Sequence, residues 1–357
     1  MIYILSPGAE QSQALVRLLK QGGCSDTVVG VRLSGEPKLR SRGLFDKVIT
    51  QDNLRPAMKG DVLVPTGARS TEWLLGGGDC SVGAIVHSRT SLKVFDKPWL
   101  LSQAVEIAIP VPVTWTSTDD FGISDFPVFY KEHYEKGGGL RGLAMNEQDL
   151  PSAPAGQLIF QEYIESRGTY GVGFLAKDGD VLVAYAHYES SSYPSTGGSA
   201  VILEECLDPK PVEYTKRLVG HIAYSGWGLA EFKYCPDRMD YVLMEINAKF
   251  WASCEFAFRN EPEFLRLLFE VSSEDQGITR MVFLNRAFAR GPRYMKKHRH
   301  EILDSRRVLY SGWRRNLLLG WLPNKVKKGI LAVRLTLKRL FGLNRATRVE
   351  GADAGRP

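Results

Sequence analysis

The sequence predicts an α/β protein in which a parallel sheet is followed by a larger mixed α+β unit and a basic helical segment. Short apolar strands alternate with a helical pattern over the first 90 or so residues, which is typical of a parallel sheet. Hairpin signals follow, such as the turn at residues 177–180. Residues 286–348 contain 18 Lys and Arg against 2 acidic residues, although the whole chain carries only +6. The part of the chain before residue 286 is therefore acidic, and the basic C-terminal segment needs a separate explanation.

The first 92 residues form the expected parallel unit. No Gly-x-Gly-x-x-Gly or Gly-x-x-x-x-Gly-Lys-Ser element occurs, which argues against a dinucleotide-binding fold and a P-loop. A helical pattern at residues 14–19 ends at Gly22 and Gly23. The expected strands lie at residues 1–5, 27–33, 46–50, 61–65 and 83–87.

The cysteines and the hydropathy pattern indicate a cytoplasmic protein. The five cysteines are scattered and show no metal-binding spacing, so we expect reduced thiols. No run of about 18 apolar residues and no signal peptide is evident, which predicts neither membrane insertion nor export.

A polar stripe follows the strand predicted at residues 241–247. Because side chains alternate along a strand, Glu245 and Asn247 should project from one face. Lys249 keeps the same parity if the strand continues. The same alternation places Tyr241 and Leu243 on the Glu245 face, and puts the opposite face at residues 242, 244 and 246.

A second acidic strand is predicted at residues 228–234, and it carries Glu231. Residues 236–240 have the composition of a turn, so the two strands should form a hairpin. Cross-strand neighbours lie about 5 Å apart, and two carboxylates that close are costly without a cation between them. The hairpin therefore predicts a Mg²⁺ site at Glu231, Glu245 and Asn247, whereas the alternative is a half-buried strand with a polar outer face.

The hairpin resembles the metal-binding end of the ATP-grasp superfamily, which includes carboxylate–amine ligases and carbamoyl-phosphate-synthase-like proteins. The family's usual Glu-Ile-Asn-Pro-Arg-Phe-Trp corresponds here to residues 245–251, with Ala248 for proline and Lys249 for arginine. Lysine keeps the charge but lacks the two-pronged phosphate grip of arginine. The resemblance implies ATP and Mg²⁺ as cofactors, with Mn²⁺ as an alternative, and a catalytic role for Lys249.

Other family motifs follow in the family's order. Lys97 precedes a helix and a stretch containing Pro110 and Pro112, and Lys131 ends an apolar strand. The resemblance implies that both lysines contact ATP phosphates. It also implies that a glycine loop covers the triphosphate, formed by Gly137, Gly138 and Gly139.

The next strand resembles the hinge that holds adenine, mostly through backbone groups. By position, adenine would border Gln161, Glu162, Tyr163 and Ile164. The glutamate that often binds ribose is missing, and Thr169 is a weak substitute.

A small polar loop resembles the one that lies over the reacting carboxylate and its acyl phosphate. Neutral donors suit such developing charge, whereas the alternative is an ordinary hairpin loop. The loop residues implied are Thr196, Gly197, Gly198 and Ser199.

The resemblance also suggests a domain division. It comprises an N-terminal α/β domain preceding the ATP-grasp unit (1–92), a small lobe (93–157), a catalytic lobe (158–285) and a basic, mainly helical extension (286–357).

The basic extension contains a candidate amphipathic helix at residues 325–341, with Trp313 and Trp321 upstream. This pattern favours peripheral binding to an anionic membrane surface on the cytoplasmic side. Docking on the acidic body is the alternative. A nucleic-acid partner is not expected, because no aromatic–basic platform is present.

The function implied is an ATP-dependent ligase that activates a carboxylate as an acyl phosphate and joins it to an amine. The carboxylate would belong to a small molecule or a saccharide. Alternatives are a membrane-associated ATP-binding adaptor without turnover, and a carboxylase or carbamoyl-phosphate-type enzyme. The missing ribose glutamate and the lysine at position 249 give the adaptor some weight, while the ligase stays the leading hypothesis.

Overall fold

Four short apolar strands form a parallel sheet in the N-terminal part of the chain. The computed structural model describes residues 1–37, 43–54, 60–134, 139–193, 198–304 and 307–311. The strand order is β3-β2-β1-β4, and every pair is parallel, which confirms the predicted N-terminal sheet. The elements of this unit are β1 (Ile2–Leu5), α1 (Glu10–Gln21), β2 (Val28–Arg32), β3 (Lys47–Thr50), β4 (Val62–Val64) and α2 (Ala68–Leu75).

The strand predicted at residues 83–87 lies outside this sheet. It forms a separate antiparallel hairpin, β5 (Cys80–Val82) and β6 (Ile85–His87). Helix α1 joins the N-terminal sheet to later parts of the chain, because its apolar side shares one core with Trp227, Phe250 and Phe258. This packing fixes the N-terminal end of α1 beside the cleft described below.

A second sheet is fully antiparallel, with strand order β7-β10-β8-β9. Its core consists of Val128, Leu158 and Phe160, with aromatic side chains packed around them. The elements are α3 (Lys97–Glu106), β7 (Thr114–Trp115), β8 (Val128–Glu132), β9 (Arg141–Ala144) and β10 (Leu158–Glu162).

The third and largest sheet has seven strands in the order β15-β14-β11-β12-β13-β16-β17. All neighbours are antiparallel except β16 and β17. Its strands are β11 (Thr169–Lys177), β12 (Asp180–Tyr193), β13 (Ser199–Glu205), β14 (Gly226–Cys235), β15 (Asp240–Asn247), β16 (Arg280–Phe283) and β17 (Val308–Ser311).

Helices cover this sheet and extend past it. Two of the helices are short and lie on either side of Pro262. The helices are α4 (Lys210–His221), α5 (Cys254–Asn260), α6 (Glu263–Phe269), α7 (Leu284–Ala289), α8 (Pro292–Lys297) and α9 (Arg299–Leu303).

The basic segment divides into two parts. Strand β17 pairs with β16, so residues 308–311 form one edge of the seven-stranded sheet. Residues 312–357, with the predicted amphipathic helix and its tryptophans, lie outside the described residues. Across the part of the chain that is described, no helix combines the length and the apolar character needed to cross a bilayer.

Candidate active site

Two acidic side chains face each other across the hairpin of β14 and β15. Glu231 pairs directly with Glu245 in the antiparallel register. The next pair is Phe232 with Leu243, so Met244 is an extra residue in a β-bulge. The predicted hairpin is confirmed, and its two carboxylates lie on adjacent strands.

The bulge overturns part of the predicted alternation. Met244, Glu245 and Asn247 line a common cleft, whereas Tyr241 and Leu243 belong to the core with other apolar side chains. The extra residue shifts the side-chain period by one. The prediction that Tyr241 and Leu243 share a face with Glu245 is therefore wrong, as is the opposite placement of Met244.

Three neighbouring side chains contact the carboxylate of Glu245. Lys131 Nζ lies 3.7 Å and Lys97 Nζ 3.9 Å from Glu245 Oε2, and both lysines are buried. Asn247 Nδ2 donates to Glu245 Oε1 at 2.9 Å. Burial alone would raise the pKa of Glu245, but Lys131 and Lys97 lower it to about 2. Glu245 is therefore an anion at neutral pH.

Glu231 has the opposite electrostatic environment. Burial raises the pKa of Glu231 well above its ordinary value, the charges of Glu245 and Glu189 raise it further, and Lys249 opposes them. A divalent cation between Glu231 and Glu245 would relieve this repulsion, since hard cations prefer oxygen ligands. Within the described ranges, no cluster of three His, Cys, Asp or Glu side chains has metal-binding geometry. The donor set that fits is two carboxylates with the amide oxygen of Asn247.

The cleft that these groups face has a volume of about 430 Å³, a size typical of small-molecule sites. Lys131 and Arg141 from the second sheet line one wall, and the acidic strands of the third sheet line the other. The cleft therefore lies between two sheets, as the two-lobed prediction requires.

The hinge strand supplies one end of the cleft. Tyr163 and Ile164 line it, and Lys233 Nζ lies 5.3 Å from the centre of the Tyr163 ring. Glu162 also lines it, accepts a bond from Val113 N at 2.9 Å and forms an ion pair with Arg238. An adenine at this end would meet one aromatic ring, one aliphatic side chain and the backbone of the strand.

Gln161 differs from its three neighbours in the hinge. Its side chain is fully buried, and Nε2 donates to Thr114 Oγ1 at 3.0 Å, outside the cleft lining. The side chain of Gln161 therefore does not face the cleft, and contact with adenine through its backbone stays a prediction.

The two glycine-containing loops are described only at their ends. A Cβ on Gly139 would lie 2.3 Å from Glu132 Oε2, so that position requires glycine unless Glu132 moves. Gly198 and Ser199 line the cleft. Four residues implied by the resemblance lie outside the described residues, and their roles stay predictions: Gly137, Gly138, Thr196 and Gly197.

Several residues that line the cleft were not singled out from the sequence. Glu189 follows the buried His187 by two residues on β12. That spacing is the sequence signal that could have indicated Glu189 as a site residue. Arg286 was counted only as part of the basic segment. Gln11 comes from α1 of the N-terminal unit, and no sequence pattern indicated it.

Comparisons with known proteins identify the fold. No family model matches the sequence, and no curated protein matches it. Among solved structures, pyruvate carboxylase from Rhizobium etli aligns with a TM-score of 0.55 at 12% identity over 73% of this chain, which spans 27% of that enzyme. Biotin carboxylase from Campylobacter jejuni aligns with a TM-score of 0.54 at 15% identity, over 78% of this chain and 73% of that one.

A third similar structure is the L-amino acid ligase from Bacillus licheniformis. It aligns with a TM-score of 0.54 at 12% identity, over 76% of this chain and 73% of that one. These structures are ATP-grasp enzymes, so the chain has the ATP-grasp fold that its motifs predicted. At these identities the likeness establishes the fold alone.

Proposed function

We propose that the protein is an ATP-dependent ligase that joins a carboxylate to an amine. The observation that carries this proposal is the pairing of Glu231 with Glu245 in a cleft where two buried lysines reach Glu245. Such a cluster of opposite charges is better explained by binding of a nucleoside triphosphate and its metal ion than by a purely structural role. The similarity of the fold to ligases and carboxylases supports the general reaction class.

Glu231, Glu245 and Asn247 would hold Mg²⁺, with Mn²⁺ as the substitute. When bound, the ion would supply positive charge that offsets the charge of the phosphates. Lys131 lines the cleft and would bind a phosphate oxygen directly. Lys97 is 3% exposed and holds Glu245 in place. These residues neutralise and align phosphate groups, which is the main protein contribution to phosphoryl transfer.

The nucleotide base would occupy the hinge end of the cleft, against Tyr163 and Ile164. Its phosphates would then extend toward Lys131 and the acidic pair. Arg141 lines the cleft beside Lys131 and adds positive charge near the phosphates. Thr169 lines the cleft near the hinge, so it can donate to the ribose in place of the missing glutamate.

The reaction would proceed in two substitutions. An oxygen of the substrate carboxylate bonds to the terminal phosphorus while the bond from that phosphorus to the ADP oxygen breaks. The amine nitrogen then bonds to the acyl carbon while phosphate leaves, and one proton is released. Lys249 and the backbone amides of Gly198 and Ser199 would stabilise the acyl phosphate, a role supported by the fact that all three residues line the cleft.

The proposal is tested by measuring ADP and phosphate release with pools of carboxylates and amines, including bicarbonate. We expect ADP release that depends on both a carboxylate and an amine. Release that depends on bicarbonate without an amine would identify a carboxylase instead. Binding of ATP without release under any pool would favour the adaptor without turnover.

A further inference from the structure

The cleft continues beyond the acidic pair, toward the side of the large sheet that carries β12, β13 and β16. Across the sheet, Glu245 lies on β15, Glu231 on β14 and Glu189 on β12. Arg286 follows β16 by three residues. All four side chains line the cleft. Since neighbouring strands are about 4.8 Å apart, the strands that carry Glu189 and Glu231 lie about 10 Å apart, with β11 between them.

Glu189 is a nearly buried carboxylate that makes few contacts. Its side chain is 13% exposed, and the described residues provide no hydrogen bond to its oxygens. The nearest cationic candidate is His187 Nε2, at 3.9 Å from Glu189 Oε1. Burial lowers the pKa of His187 to about 4, so this imidazole is neutral at pH 7. A buried carboxylate of this kind is stabilised by a cationic ligand.

Arg286 faces the same space with an oriented guanidinium. Nη1 donates to the backbone oxygen of Ala200 at 2.6 Å, and Nη2 pairs with Glu10 at the start of α1. The guanidinium also stacks on Phe283, 3.9 Å from the ring centre. These contacts use two of its five donors and fix its plane, which favours recognition of a carboxylate.

Glu189 and Arg286 have opposite charges but do not form an ion pair, although both are described. Arg286 is still close enough to lower the pKa of Glu189, which burial raises to about 7. A gap between a carboxylate and a guanidinium, with Trp251 and Phe283 lining the same cleft, fits a small zwitterion with an apolar part.

We infer that this end of the cleft binds an α-amino acid as the amine-bearing substrate, with its ammonium on Glu189 and its carboxylate on Arg286. The inference rests on the proposed ligase function for the fate of the amino acid, but the binding site itself does not require turnover. The order of charges along the cleft places the ammonium nearer than the carboxylate to the acidic pair, where the acyl phosphate would form.

Binding is tested by calorimetric titration of the full chain with each of the twenty protein L-amino acids. The amino acid that binds best is then compared with its des-amino analogue and with its carboxamide. We expect each analogue to bind at least tenfold more weakly. In E189Q the preference over the des-amino analogue should disappear, and in R286K the preference over the carboxamide should fall at least fivefold.

The matched control is E204Q, because Glu204 is more exposed and pairs with Arg280 away from the cleft lining. If E204Q keeps the wild-type preferences, the loss of one glutamate charge does not by itself change amino-acid recognition. If E189Q keeps the preference over the des-amino analogue but loses Mn²⁺ in the presence of a non-hydrolysable ATP analogue, Glu189 is a metal ligand and the inference is wrong.

The inference and the proposed function fail in different ways. ADP release with amines that are not amino acids, together with no amino-acid binding, overturns the inference and leaves the ligase. Amino-acid binding that depends on Glu189 and Arg286, with no ADP release under any carboxylate, supports the subsite and overturns the ligase.

Discussion

Lys131 on β8 and Glu245 on β15 connect the two sheets that form the cleft. Lys131 Nζ lies 3.7 Å from Glu245 Oε2 and also donates to the backbone oxygen of Met244 at 3.0 Å. The bulge at Met244 brings that oxygen into reach of the lysine. One cation therefore holds the acidic strand at the position where the proposed phosphates would lie.

Replacing Lys131 by Met should weaken nucleotide binding. The change removes a positive charge from the cleft and one of the two lysines that keep Glu245 ionised. We expect the affinity for a non-hydrolysable ATP analogue with Mg²⁺ to fall at least tenfold, measured by calorimetry. The control is K93M, which removes an exposed lysine stacked on Trp99 outside the cleft lining. Equal affinities in K131M and wild type would contradict the assignment.

Gly173 should tolerate no side chain. A Cβ at this position would lie 2.1 Å from the Trp251 ring, which lines the cleft. We expect G173A to lower the free energy of unfolding by about 1–3 kcal/mol, as overpacking usually does, and to shift the tryptophan fluorescence. G122A is the control, since apart from its chain neighbours no described residue has an atom within 4 Å of a Cβ built there. A G173A protein as stable as G122A would show that Trp251 does not lie over the strand.

The contact between α1 and α5 should contribute strongly to stability. Glu255 is 2% exposed and pairs with both Arg17 and Arg259. Replacing Glu255 by Ala leaves two cations without this partner, so we expect a loss of about 3 kcal/mol in urea unfolding. E263A, which removes an exposed pair with Arg266, should leave the midpoint nearly unchanged. Similar midpoints for the two variants would rule out the buried network.

His87 should make stability depend on pH. Burial lowers the pKa of His87 from 6.5 to about 4, although its contact with the Ala248 carbonyl partly opposes this. The unfolded chain therefore binds a proton at a higher pH than the folded chain does. Stability should fall as the pH decreases from about 6.5 to 4, by about 3 kcal/mol from this residue.

The comparison for His87 uses H87Q and, as a control, H300Q at the exposed His300. Urea unfolding at several pH values should show a flatter dependence in H87Q than in wild type, and no change in H300Q. Parallel pH curves for wild type and H87Q would exclude a neutral buried imidazole at position 87.

The fold was predictable where the chain follows simple periodicities. Alternating strands and a helix indicated the parallel sheet, and the turn after Cys235 indicated the acidic hairpin. The bulge at Met244 was not predictable, because no glycine or other backbone signal marks it in the sequence. It changed which neighbours share a face with Glu245, while Glu245 and Asn247 kept their own relation, since both follow the bulge.

The remainder of the site depends on contacts between distant parts of the chain. Arg286 reaches the cleft because β16 joins the sheet beside β13, and the pairing of those strands is not encoded by local spacing. Gln11 comes to the cleft only through the packing of α1 on the large sheet. Gln161 lies on the predicted strand, but its side chain bonds to Thr114 outside the cleft lining, so a correct strand position did not determine which side chains face the cleft.

The central claim is that Glu231 and Glu245 hold a divalent cation with a nucleotide in the cleft. It is tested most directly by Mn²⁺ binding, followed by electron paramagnetic resonance, with a non-hydrolysable ATP analogue present. Wild type and E204Q should bind Mn²⁺ only with the nucleotide, and E245Q should bind it at least a hundredfold more weakly while remaining folded. Wild-type Mn²⁺ binding by folded E245Q would contradict the account.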